Sequence, residues 1–139
     1  MTRINMGRVI LGGLVAGLVV NIGESILNLF VIGAQMEAVL KAHGLPPVEG
    51  QAIAGFVVLC FLLGILMVWV YAASRTRLGP GVGTAVKIAL AVFYFAFVFP
   101  QAGNVLLGFF PPGLTMVALA WGLVELVLGS IAGAWVYSE

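Results

Sequence analysis

Apolar residues dominate four stretches of the chain, at about positions 9–34, 52–73, 82–107 and 114–137. Each exceeds the ~20 residues that a helix needs to cross a hydrocarbon core ~30 Å thick. Backbone groups in lipid must pair within their own segment, which favours helices over open strands. Between the stretches lie "HGLPPVEGQ" at 43–51, "SRTRLGPGVG" at 74–83 and "FFPPG" at 109–113. Their Pro and Gly residues mark breaks. The pattern predicts an all-α fold, a four-helix transmembrane bundle forming one integral membrane domain over 1–139. A short helix at the membrane surface is expected over 35–41. Arg3 and Arg8 precede the first stretch as in a signal peptide, but the run is too long and no small-x-small cleavage site follows. It reads as a retained helix.

The polar residues inside these stretches are few and patterned. Asn21, Glu24 and Asn28 fall within an arc of about 60° on a helix, and Gly13 and Gly17 lie beside them. These two glycines form GxxxG, a spacing that lets helix backbones approach closely in membranes. In the fourth stretch Ala118, Gly122, Glu125, Gly129, Ala132 and Gly133 share an arc of about 100°. Gly129 and Gly133 form a second GxxxG. The first and fourth helices are therefore expected to pack through these faces. A rise of 1.5 Å per residue puts Glu24 about 22 Å and Glu125 about 15–18 Å from the amino-terminal side of the membrane, close enough to be neighbours. A carboxyl that holds its proton can donate to Asn21 or Asn28, so the expected site is a buried polar seam.

The third stretch offers partners. Lys87, Tyr94 and Gln101 are spaced by seven and share a face, with Asn104 about a quarter-turn away. Pro100 is expected to kink this helix and free the Ala96 carbonyl. Lys87 lies near the helix end and is expected to snorkel to the interface, although a Lys87–Glu125 pair stays open. Three readings of the two acids remain. They are interhelical glue, with hydrogen bonds of ~0.6–2 kcal/mol; a proton or ion site; or a ligand or lipid site. A charge at mid-bilayer costs at least ~2.5 kcal/mol, so an acid there marks a functional candidate.

Composition narrows the field. The chain is 63% hydrophobic and 8% charged, against about 25% charged in soluble domains, so a soluble fold is excluded. A net charge of +1 is too small to suggest nucleic-acid binding. Cys60 has no second cysteine to pair with and reads as packing. His43 is the sole histidine, which excludes a bis-histidine haem or a multi-histidine zinc site within one chain. The chain contains no Asp, so no Ser-His-Asp arrangement exists. "GPGVG" at 79–83 lacks the GK[ST] ending of a phosphate-binding loop and reads as a turn. No cofactor, metal or catalytic residue is expected.

Basic residues set the expected orientation. Arg3, Arg8, Arg75, Arg77 and Lys87 fall on the side of the two termini, and Lys41 alone on the other. Lys and Arg accumulate in cytoplasmic segments, so both termini are expected in the cytoplasm. The second and fourth stretches each close on "WVY", at 69–71 and 135–137, where Trp and Tyr are expected as interfacial anchors. The matching ends suggest two related hairpins in parallel.

"AGLVVNIGESILN" (16–28), "VWVYAASRTRLGPG" (68–81) and "GLVELVLGSIAGAWVYSE" (122–139) resemble a group of small, uncharacterised bacterial four-helix integral membrane proteins. The resemblance implies a multi-pass protein of the inner (plasma) membrane and carries no activity or catalytic residue with it. The expected function is a non-enzymatic module in the lipid bilayer, a homo-oligomer or a subunit of a larger membrane complex. The alternative is a small proton- or cation-linked transporter or channel using Glu24 and Glu125.

Overall fold

The computed structural model describes residues 3–138. Met1, Thr2 and Glu139, the last residue of the closing motif quoted above, lie outside them. Helix α1 (Met6–Ile26) runs into a π-helical turn (Leu27–Val31), then α2 (Gly33–Ala42), α3 (Gln51–Leu78) and α4 (Val82–Phe93). A second π turn (Tyr94–Val98) leads into α5 (Phe99–Leu106), and α6 (Pro112–Tyr137) closes the chain. No strand occurs among the described residues. Four spans are long and apolar enough to cross a membrane: Met6–Val31, Gln51–Leu78, Val82–Leu106 and Pro112–Tyr137. The protein is therefore an all-helical, multi-pass membrane bundle.

The helix ends follow local chemistry. Asn5 caps α1, its side-chain oxygen accepting from the Arg8 N–H at 3.1 Å, as a good N-cap residue does. Helix α3 continues to Leu78, five residues beyond the apolar stretch, because Ser74–Arg77 contains no helix breaker. It stops at Gly79, whose φ of +83° suits glycine. A short helix is present at the expected place as α2, set off from α1 by Ile32 at φ −116°, ψ 3°.

Pro100 acts differently from the expected kink. The Phe99 N–H reaches back five residues to the Tyr94 carbonyl, and this wide turn resets the helix. Pro100 then falls in the first turn of α5, a position that tolerates a residue without an N–H. The turn at the end of α1 is built likewise, with the Ile32 N–H on the Leu27 carbonyl at 2.9 Å.

Helix α1 packs against both α3 and α6, which also touch each other, and α4 packs against α6 and α3. Glycines set the contacts, but their partners differ from the expected ones. Gly13 and Gly17 face α3, not α6. A Cβ on Gly17 would stand 2.7 Å from the Phe61 Cα, and one on Gly13 would collide with Ile65. Opposite them Gly64 is seated against the Gly13 and Gly17 backbones. The α1–α6 contact instead sets Gly12 and Ala16 of α1 against Gly129 and Gly133 of α6, and Gly23 against Glu125. A Cβ on Gly12 would lie 2.6 Å from the Gly133 carbonyl oxygen. Gly122 turns to Phe97 in the second π turn, 2.8 Å from an added Cβ.

Around these contacts Val9, Val20, Met67, Val68 and Leu126 are sealed. Ser130 ties α6 to α4 by donating to the Ala85 carbonyl at 2.8 Å. The two "WVY" ends meet with their tyrosines inward: Tyr71 and Tyr137 are buried and pack edge to face at 6.2 Å. Only Trp69 and Trp135 point outward, so the tyrosines serve packing and the tryptophans fit the anchor role. The opposite end of the bundle is looser. Every residue of α3 from Gln51 to Leu59 is exposed, as are Leu29, Phe30, Phe95 and Phe99.

Candidate functional site: a carboxyl seam between three helices

Among the described residues Glu125 is the one buried acid, with 4% of its surface exposed. It sits at the level of Gly23 on α1, and its carboxyl occupies the space where a Cβ on that residue would be. Glycine at position 23 thus makes room for the acid. One turn earlier on α6, the Trp121 indole N–H donates to the Gly23 carbonyl at 3.0 Å. Both Glu125 oxygens are shut off from the surface and receive no N–H or O–H from the protein. The neighbouring polar side chains are Trp121, whose N–H is committed to Gly23, and the Glu24 carboxyl.

Glu24 is half-buried. Its Oε2 accepts from Asn28 Nδ2 at 3.1 Å, and the same amide donates to the Glu24 carbonyl at 2.8 Å. Asn28 lies in the π turn and is exposed. The three side chains therefore form a graded line: Asn28 at the surface, Glu24 partly covered, Glu125 in the core. Beyond Glu125, towards the termini, Met67, Val20 and Ala16 are fully buried and apolar. The line opens at one end of the bundle and is closed at the other.

Asn21 belongs to the flank of this seam. Its Nδ2 donates to the Val57 carbonyl of α3 at 3.3 Å. Cys60, one turn along α3, is half-buried. The stripe read from the sequence thus divides: Asn21 turns to α3, Glu24 to α6, and Asn28 outward.

The third span contributes less than expected. Lys87 is exposed and does not reach Glu125, whose oxygens find no donor. Tyr94 is 53% exposed and turns away from the core. The spacing by seven keeps these side chains on one side of an ideal helix, but the wide turn beginning at Tyr94 shifts everything after it. Gln101 is half-buried, with Oε1 enclosed and unpaired, as is Oγ1 of Thr115 at the start of α6. The sequence reading missed Gly23, Gly64, Trp121 and Thr115. Trp121 had a usable signal, being four residues from Glu125 and so on its face.

No family model, curated protein or solved structure matches the chain. The reading of the seam rests on its geometry.

Proposed function

We propose that this chain is a non-enzymatic membrane module whose Glu24–Glu125 pair takes up a proton or a small cation from one side of the bilayer. The carrying observation is Glu125, a buried carboxyl with both oxygens unpaired beside a second carboxyl. A carboxyl beside a second carboxyl can take up a proton to relieve their repulsion, and two carboxylates together attract a cation. A structural acid would instead be matched to donors, since buried polar groups in folded proteins are paired. Entry follows the line from Asn28 through Glu24. Glu24 lies about 10 Å from the Val31 end of its span, at 1.5 Å per residue.

The asymmetry of Lys and Arg supports placing both termini in the cytoplasm of the cell that makes the protein, with the module in its plasma membrane. The seam then faces outward, and the glycine-packed half closes the cytoplasmic side. Transport through such a site requires the closed half to open, as in alternating access. A flux assay in proteoliposomes tests the proposal. The wild type is expected to pass protons or monovalent cations down an imposed gradient, and Glu24→Gln and Glu125→Gln to lose that flux while remaining folded. Flux that survives both changes removes the carboxyls from the pathway.

A second reading is favoured by the bare α3 flank at 51–59: self-assembly, or service as a subunit of a larger membrane complex. Native mass spectrometry from lipid nanodiscs reads this directly. A single mass corresponding to one chain, with the flux intact, rejects it.

A further inference from the structure

At the closed end of the bundle a cavity of about 220 Å³ lies between three parts of the chain. Arg3 enters it from the segment before α1, Arg75 and Thr76 from the last turn of α3, Pro80 from the following turn, and Tyr137 from the end of α6. Among the described residues, no carboxylate lines it. The Arg75 guanidinium lies 5.4 Å from the centre of the Tyr137 ring, a cation–π contact that holds it at the cavity. Arg8, nearby in sequence, is committed elsewhere, donating to the Ser138 carbonyl at 2.9 Å. Pro80 leads into α4, whose N-cap is Gly81 and whose first turn no side chain caps. The positive end of that helix adds to the field of the two arginines. Trp69 and Trp135, near the ends of α3 and α6, are exposed, and such residues settle at the depth of lipid headgroups.

We propose that this cavity binds the phosphate of an anionic phospholipid, held between the Arg3 and Arg75 guanidiniums with the Thr76 hydroxyl at its edge. Guanidiniums match phosphate oxygens two at a time, and basic pockets between transmembrane helices take acidic headgroups. The site is separate from the carboxyl seam and stands whether or not that seam moves protons.

The test uses the purified full chain in a non-ionic detergent, titrated with short-chain phosphatidylglycerol, short-chain phosphatidylcholine, glycerol 3-phosphate and inorganic phosphate. Bound ligand is counted by native mass spectrometry. Phosphatidylglycerol is expected to bind about tenfold more tightly than phosphatidylcholine. Arg3→Ala and Arg75→Ala should each weaken it about fivefold, following the ~1 kcal/mol per basic residue at a membrane surface. Lys41→Ala, at the opposite end, should bind as the wild type does. If Arg75→Ala fails to fold for want of its contact with Tyr137, Arg3→Ala and Thr76→Ala still decide the matter. Equal binding of the two lipids, or phosphatidylglycerol binding unchanged in every cavity variant, overturns the proposal. Glycerol 3-phosphate or inorganic phosphate binding as tightly as the lipid, on the same arginines, overturns the assignment to a lipid.

Discussion

The two ends of this bundle are built on opposite terms. Towards the termini, Gly12, Gly13 and Gly17 of α1 meet Gly64 of α3 and Gly133 of α6 so closely that added methyl groups would strike backbone. Towards the other end, Gly55, Gly103 and Gly113 have nothing within 4 Å of an added Cβ. Two spans also break their regular hydrogen bonding there in π turns. Lipid supplies no hydrophobic drive between helices, so close backbone packing is what holds them together. The tight end carries that burden. The loose end is thereby freed to keep polar groups, and Glu125 sits at the boundary between the two.

The comparison breaks most readily at its tight end. Gly64→Leu or Gly17→Leu should destabilise the fold by about 3 kcal/mol, the upper range for forcing bulk into a filled core. Unfolding of each variant in mixed micelles would measure it. A variant as stable as the wild type would mean that these helices do not touch there.

Next comes the boundary. Gly23→Val pushes a side chain into the place of the Glu125 carboxyl and should lower stability by about 2 kcal/mol. Combining it with Glu125→Ala should recover part of that loss, which a double-mutant cycle reads as coupling. Purely additive losses would show that the two residues are not in contact.

Smaller still is Ser130→Ala, which removes the bond to the Ala85 carbonyl and should have an effect near ~0.6 kcal/mol, the mean for interhelical hydrogen bonds in a bilayer. Smallest is Gly103→Ala at the loose end. With open space around it, this change should be neutral or stabilise by up to ~1 kcal/mol through helix propensity. A clear loss there would place a partner against α5.

Much of this architecture is legible in the sequence. Four apolar stretches of spanning length predict four membrane helices, and the 1.5 Å rise brings Glu24 and Glu125 to similar depth. What periodicity gives is the direction of a face, not the helix that fills it. Gly13 and Gly17 therefore point to α6 on spacing alone but meet α3 in the fold, since nothing in their spacing distinguishes Gly64 from Gly129. The π turns were hidden because a five-residue reach has no composition of its own. Pro100 announced a disturbance in the third span without saying what kind: the wide turn before it separates Gln101 from Lys87 and Tyr94, which precede the shift and are both exposed. Gly23 escaped notice because its role, leaving space for a carboxyl from another helix, exists only once the helices have met.

The central claim is that the carboxyl pair serves function while the glycine end serves the fold. Flux per folded molecule in the Glu24→Gln/Glu125→Gln double variant tests it most directly, measured in proteoliposomes beside the thermal stability of the same sample. The account predicts stability within about 1 kcal/mol of the wild type, because Gln keeps the size and hydrogen bonding of Glu, together with loss of the proton or cation flux the wild type shows. Wild-type flux in the double variant, or its unfolding, would contradict that division of roles.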